Sequence, residues 1–339
     1  MLRAASRWWQ KIKVMQTLRT FKLSLTVPLP KIIQIEPTNR CNFRCRFCSN
    51  SMGNRKTEIQ DITTTKLRSI LSSLPELKYV NLQGLGEPFL HPRLELILEE
   101  FKNRGIKKIT STSNGSLLTK QNIRNLVHDY IVDLSISIDS HRADLSYELR
   151  PGMNLDRIIK GVQLLLKERN EGRSNFLFGF NVTLSNMNYK DLEGIGNLAV
   201  KLGIDYILIV GLKIWYIPGE PNYDLARQAI KEQLLYRHKI SNIITKMQTK
   251  LLTKGIIVKY IKTKRSLGNC SFPFSTMFIS ANGTVTPCNI RMHPQYHGLF
   301  TIHSNSSLAK QWNGKAYKSL RKAHLEKDTT NIMCGKCFS

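Results

Sequence analysis

Between Lys31 and Val210, short apolar runs alternate with stretches of helical periodicity, a pattern that restricts the chain to βα units built on a parallel sheet. The spacing predicts strands at Ile32 to Ile35, Tyr79 to Leu82, Lys108 to Ser111, Val132 to Ile138, Phe176 to Val182 and Tyr206 to Val210. Helices are predicted between them at Thr64 to Leu74, Leu94 to Asn103, Gln121 to His128, Leu155 to Lys167 and Leu192 to Leu202, the last closed by Gly203. Six such strands describe an α/β chain whose main body is a partial (β/α)6, TIM-like barrel over residues 31–235.

The flanking segments differ in composition. Residues 1–30 form a basic, aromatic extension with Arg3, Arg7, Trp8, Trp9, Lys11, Lys13 and Arg19, and no acid precedes Glu36. Trp8, Ile12 and Met15 share one helical face, which predicts a helix docked on the barrel; the alternative is an interfacial helix resting on anionic membrane through residues 1–24. Residues 223 to 264 read as one long, basic, partly amphipathic helix followed by a short strand at Ile256 to Tyr260, with 236–267 as a connecting segment. A small final domain is expected over 268–339, where Asn282-Gly283 between Met277 to Ile279 and Thr284 to Thr286 signals a hairpin.

Lys and Arg total 51 against 24 Asp and Glu, a formal charge of +27. Such a field attracts anions, and an anionic membrane surface, nucleic acid or a phosphorylated substrate would each fit, as would a plain Lys-rich solvated surface. No recognisable RNA-binding motif with stacking aromatics is present. No apolar run of about 18 residues occurs and the N-terminus lacks a secretory apolar core, so the expectation is a cytoplasmic protein without a transmembrane helix.

Seven cysteines fall into two distant groups, which argues against a disulfide framework and for metal ligation in a reducing compartment. The first group lies in Ile35-Glu36-Pro37-Thr38-Asn39-Arg40-Cys41-Asn42-Phe43-Arg44-Cys45-Arg46-Phe47-Cys48, a Cys-x3-Cys-x2-Cys spacing in the loop after the first strand. A cubane that only carries electrons takes four thiolates. Three leave one iron open to a ligand. Short Cys-x2-Cys pieces also occur in zinc sites, but here the motif follows the first strand of a βα repeat, where barrel active sites gather.

This segment closely resembles the signature of the radical S-adenosylmethionine (SAM) superfamily. The resemblance implies that Cys41, Cys45 and Cys48 hold a 4Fe-4S cluster whose open iron chelates SAM, with Phe47 beside the adenine. Reductive cleavage of the sulfonium would release a 5′-deoxyadenosyl radical that abstracts hydrogen from substrate, which calls for a reducing partner such as flavodoxin or ferredoxin. Gln83-Gly84-Leu85-Gly86-Glu87-Pro88 resembles the family's Gly-Gly-Glu element, with Leu85 in place of its first glycine, so Gly86 and Glu87 carry over toward the methionyl amino group. A plain βα turn is the alternative for that segment alone. Ser111-Thr112-Ser113-Asn114-Gly115 and Leu134-Ser135-Ile136-Ser137-Ile138-Asp139-Ser140 resemble segments lining the nucleoside, which makes Ser113, Asn114, Ser137 and Asp139 candidates for ribose contacts. Arg150 matches a position used near the cofactor carboxylate.

Cys270, Cys288, Cys334 and Cys337 supply four further thiolates, with Gly283 in the hairpin and a terminal Cys-x2-Cys. This resembles SPASM and shorter twitch domains and implies one fully ligated auxiliary 4Fe-4S cluster; on spacing alone a zinc site with four cysteines is the competing reading. A fully ligated cluster serves as an electron acceptor, which points to net oxidation.

The one-cluster arrangement resembles twitch-containing dehydrogenases of aminocyclitol alcohols, and a sugar, cyclitol or similar polar small molecule is the expected substrate. Peptide modification is the alternative, although a leader of about 30 residues is short for a peptide-recognition domain; an anionic nucleotide, RNA or lipid-linked substrate also remains open. The ending Cys337-Phe338-Ser339, without a Gly-Gly tail, counts against a molybdopterin-type enzyme. A zinc-stabilised binding module is the non-enzymatic alternative. No catalytic side chain can be named for the substrate's proton, and His293, His297 and His303 near the hairpin read as surface or packing residues.

Overall fold

The computed structural model describes residues 24–48, 50, 58–213, 223–262, 270–289, 292–303, 307–330, 332 and 334. The predicted N-terminal helix with Trp8, Ile12 and Met15, and Cys337, lie outside the described residues. In chain order the elements are β1 (Ile32–Ile35), α1 (Thr64–Ser72), β2 (Tyr79–Leu82), α2 (Leu94–Asn103), β3 (Lys108–Ser113), α3 (Gln121–Tyr130), β4 (Ile131–Ser137), α4 (Ala143–Leu149), α5 (Leu155–Asn170), β5 (Leu177–Leu184), α6 (Leu192–Leu202) and β6 (Tyr206–Gly211). There follow α7 (Tyr223–Leu235), α8 (Arg237–Leu252), β7 (Ile257–Ile261), α9 (Phe272–Ser275), β8 (Thr276–Ile279), β9 (Thr284–Thr286), α10 (Pro294–His297), β10 (Phe300–Thr301), α11 (Leu308–Trp312) and α12 (Lys315–Leu325).

Local chemistry sets these boundaries. Thr63 caps α1 by accepting from the Lys66 amide at 3.1 Å, and Asn154 caps α5 by accepting from Arg157 N at 2.9 Å. α2 buries Leu94, Ile97, Leu98 and Phe101, the i, i+3, i+4, i+7 stripe of a half-buried helix. α6 stops because Gly203 turns left-handed at φ 68°.

The described residues form two compact units. One takes in those between Asn42 and Arg55 and between Ser111 and Thr263; in it β4, β5, β6 and β7 pair in parallel. Its strands are largely buried, with Phe178, Phe180, Val182, Ile207 and Ile209 at its centre. The other takes in those up to Cys41, between Lys56 and Thr110, and from Lys264 onward. There β1 pairs in parallel with β2 on one side and with β8 on the other, while β8–β9 and β9–β10 are antiparallel. The hairpin turn has Gly283 at φ 88°, and Lys66 Nζ donates to the Asn282 carbonyl at 2.6 Å.

Two expectations change. The long basic helix is two helices, α7 and α8, parted at Tyr236, whose backbone leaves the helical region at φ −94°, ψ 10° and whose ring stacks on Tyr189 at 5.0 Å. α4 was not expected; it buries only Leu145, Ser146 and Leu149, too short a stripe to register as a period. No helix among the described residues is long and apolar enough to cross a membrane.

Candidate active site

The loop after β1 begins at Glu36, a carboxylate only 3% exposed. Its Oε1 accepts from Leu85 N at 2.5 Å and Gly86 N at 3.2 Å, and its Oε2 from Ala281 N at 3.1 Å. One buried carboxylate thus ties the loop after β2 to the β8–β9 turn through three backbone donors. A Cβ at Gly84 would lie 2.3 Å from Glu36 Cγ, and one at Gly86 would lie 2.1 Å from Thr38 O and 2.6 Å from Arg40 O. Gly86 is therefore required by the approach of two backbones, which the Glu87 N to Arg40 O bond at 2.7 Å completes. Glu87 is buried and caps the following turn by accepting from Phe89 N at 3.2 Å. Thr38 and Arg40 both donate to Asp61, at 2.5 and 2.8 Å. Burial pushes the Asp61 carboxyl up, but those two bonds bring it below the usual carboxylate range.

Beyond Cys41 the loop is held by residues of its own unit. Arg44 N donates to Pro151 O at 2.8 Å and Arg46 N to Leu149 O at 2.9 Å, so the Leu149-Arg150-Pro151-Gly152 segment lies alongside it. Gly152 sits at φ 100°, and a Cβ there would meet Asn42 O at 2.9 Å. Asn42 donates to Ser116 Oγ at 2.9 Å and accepts from Asn114 Nδ2 at 2.8 Å.

Arg150 is the charged centre of this group of residues. Its Nε donates to Asp139 Oδ2 at 2.7 Å and its Nη1 lies 3.7 Å from Cys45 Sγ. Burial alone would lower the guanidinium's pKa; Asp139, Cys45 and Cys48 outweigh it and raise the value above the ordinary one. Asp139 is itself fully engaged, since its Oδ1 accepts from Thr183 N at 2.7 Å.

Of the other residues singled out in the sequence, Cys41, Cys45 and Cys48 are half-buried, as are Phe47 and Ser137. Ser113 and Asn114 are buried at the end of β3, where Ser113 Oγ accepts from Gly115 N and Asn114 Oδ1 from Ser116 N. Cys270 is half-buried ahead of α9, Cys288 is buried two residues after β9, and Cys334 is half-buried. His297 is buried, His293 half-buried and His303 exposed. Glu36 and Asn42 were missed, because their partners lie far away in the sequence and neither carries a local pattern.

Among the described residues no three or more His, Cys, Asp or Glu side chains converge as ligands of a single metal ion would. A cubane asks for a different arrangement, one thiolate on each iron. A loop of three half-buried thiols with a buried guanidinium against one of them suits an anionic cluster and the carboxylate of its cofactor.

The sequence profile of the Radical SAM superfamily matches residues 35–199, and that of the SPASM iron-sulfur cluster-binding domain matches 270–338. This chain belongs to the radical SAM superfamily. It is a radical SAM enzyme with a C-terminal SPASM-type domain, and its cofactors are two 4Fe-4S clusters and SAM. The fold is likewise that of known radical SAM/SPASM proteins, an α/β partial TIM-like barrel. SuiB from Streptococcus suis bound to SAM superposes with a TM-score of 0.66 at 18% identity, covering 86% of this chain and 68% of that one; SuiB has also been crystallised with the precursor peptide SuiA.

Two sequence relatives point elsewhere in substrate. A tungsten-containing aldehyde ferredoxin oxidoreductase cofactor-modifying protein of Pyrococcus furiosus is 27% identical over 316 residues, 86% of this chain and 83% of that protein. A GTP 3′,8-cyclase of Alkaliphilus metalliredigens is 29% identical over 177 residues, 51% of this chain and 53% of the cyclase.

Proposed function

We propose that this radical SAM enzyme carries out a net oxidation, a dehydrogenation, of a polar metabolite. In this reading Cys41, Cys45 and Cys48 hold the SAM-binding cluster, and Cys270, Cys288, Cys334 and Cys337 hold the auxiliary one. The observation that carries the first assignment is Arg150, fixed by Asp139 and set against Cys45. When bound, the clusters and SAM supply a 5′-deoxyadenosyl radical and a one-electron acceptor.

The chain's own residues do the rest. Arg150 keeps a permanent positive charge by the thiolates and can pair with the SAM carboxylate. Glu87 is the carboxylate for the amino group, and Gly86 keeps the backbone low enough for the ligand to approach. Phe47 lies against the adenine, with Ser113, Asn114 and Ser137 along the nucleoside. Asp139 serves there by positioning Arg150, since both its oxygens are engaged. A ferredoxin or flavodoxin delivers the reducing electron in the cytoplasm, and residues 1–24 could rest on an anionic membrane there.

The charge of +27 favours an anionic or polar substrate, and the long match to a cofactor-modifying protein supports a small molecule. Peptide modification is the second reading, favoured by the likeness to SuiB, which binds a precursor peptide.

Anaerobic reconstitution tests the chemistry. The expected result is about eight irons per chain and reductive cleavage of SAM, with cleavage abolished and about four irons left when Cys41, Cys45 and Cys48 are all replaced by Ala. Bound zinc without cleavage would sink the proposal. Deuterium transfer into 5′-deoxyadenosine from labelled polar metabolites, but not from labelled peptides, would separate the two substrate readings.

A further inference from the structure

Arg321 on α12 is fully buried, and among the described residues no carboxylate pairs with it. Its Nε donates to Pro273 O at 2.9 Å, and its Nη1 to Leu25 O at 3.0 Å and Asn313 Oδ1 at 2.9 Å. Its Nη2 is buried with no partner among the described residues. The guanidinium carbon lies 4.4 Å from the centre of the Trp312 ring and 5.0 Å from that of Tyr317. Carbonyls and ring faces orient a cation but carry no net negative charge, and an isolated buried charge is costly. Tyr317 is fully buried too, and its hydroxyl has no partner among the described residues.

Both residues pack against segments next to auxiliary cysteines. Pro273, which Arg321 grips, is three residues after Cys270. The Tyr317 ring lies edge-on to Phe300 at 6.2 Å, and Phe300 pairs with Val285, three residues before Cys288. Burial, with the Cys288 thiolate adding to it, raises the pKa of the Tyr317 hydroxyl, against the opposing pull of Arg321. The anion that the described residues do not provide matches what these cysteines would assemble. A cubane bound by four thiolates has a net negative charge, and its potential responds to nearby charge and to hydrogen bonds at sulfur.

We propose that Arg321 and Tyr317 tune the auxiliary cluster, the guanidinium balancing its negative charge and the phenol offering an O–H donor to its sulfurs, so that the cluster accepts an electron more readily. The proposal rests on the reading that Cys270, Cys288, Cys334 and Cys337 bind one cluster. It makes the pair positioning residues for an oxidative outcome.

The test uses the full chain with Cys41, Cys45 and Cys48 replaced by Ala, so that the remaining iron reports the auxiliary site alone. After anaerobic reconstitution, iron content and the midpoint potential from an EPR-monitored titration are compared for this parent, Tyr317→Phe, Arg321→Lys and Arg321→Met. Tyr317→Phe is expected to keep about four irons and to hold the added electron several-fold less tightly. Arg321→Met is expected to weaken that hold about tenfold, a fall of about 59 mV for a one-electron couple, with Arg321→Lys in between. Should Arg321→Met fail to fold, Tyr317→Phe decides, because it removes a single oxygen. A parent that binds iron but whose midpoint ignores Tyr317→Phe, or rises with it, overturns the proposal alone. A parent that binds no iron overturns it together with the assignment of the four cysteines.

Discussion

Arg150 and Arg321 are both buried guanidinium groups on segments tied to a cysteine cluster, and their surroundings differ in one respect. Arg150 has a carboxylate, Asp139, at 2.7 Å, with side chains only 12% and 8% exposed. Arg321 has carbonyls, an amide oxygen and two aromatic faces. The pKa of Arg150 accordingly rises despite burial, whereas burial brings that of Arg321 down to about 10 against the raising effect of Tyr317. The first region is complete in charge as a polypeptide. In the second the described residues place no carboxylate against the guanidinium.

The largest expected effect on this comparison comes from Asp139→Asn, which leaves Arg150 buried without its counter-charge. Unfolding by urea should then be easier by about 3–5 kcal/mol. A loss under about 1 kcal/mol would mean that Arg150 does not depend on the pair. Next comes Glu36→Gln, which weakens the acceptor shared by Leu85, Gly86 and Ala281; about 1–3 kcal/mol should be lost in the same measurement. An unaltered midpoint would show that the Gly86 loop is held by packing alone.

A pH series sharpens the idea of a charge-complete cluster, because Glu168 bonds to both Arg124 and His128 at 3.0 Å in the same unit as Arg150. Burial holds His128 below the usual imidazole range, against Glu168, so the unfolded chain protonates first. This contribution to stability is therefore full above pH ~6.5 and declines as the pH falls below it. For Glu168, burial pushes the carboxyl up, but bonds from Arg124, Gln121 and His128 bring it below its ordinary value. Its contribution is present above pH ~4.3 and is lost as the pH falls through the lower folded value. His128→Asn should flatten the upper part of the acid profile of urea midpoints and Glu168→Gln the lower part; parallel profiles for all three proteins would contradict this. The smallest effect is expected for Tyr317→Phe in the iron-free chain. Removing a buried hydroxyl without a partner should leave stability within about 1 kcal/mol or raise it slightly, whereas a larger loss would reveal a partner for that hydroxyl within the polypeptide.

What the sequence disclosed follows from the range of the forces involved. β1, β2 and α2 have the predicted limits because alternation and the Leu94–Phe101 stripe are local signals. The break at Tyr236 was illegible, since neither Pro nor Gly marks it and stacking on Tyr189 is a tertiary event. The cysteine loop and Gly86 were legible as a pattern, but the reason for the glycine was not. It lies in carbonyls of Thr38 and Arg40, on a different stretch of chain. Glu36 and Arg321 act on partners up to 245 and 296 positions away, beyond any window of periodicity.

The parallel pairing of β1 with β8 bears on how the chain is made. Ile32 lies opposite Thr276, so one edge of β1 has no partner until some 240 further residues have emerged, on the order of tens of seconds at usual rates of synthesis. Glu36 likewise waits for the Ala281 amide. During translation the exposed flank of Ile32–Ile35 is a sticky edge open to wrong partners, so a nascent chain stalled before Thr276 is the species that would need a chaperone.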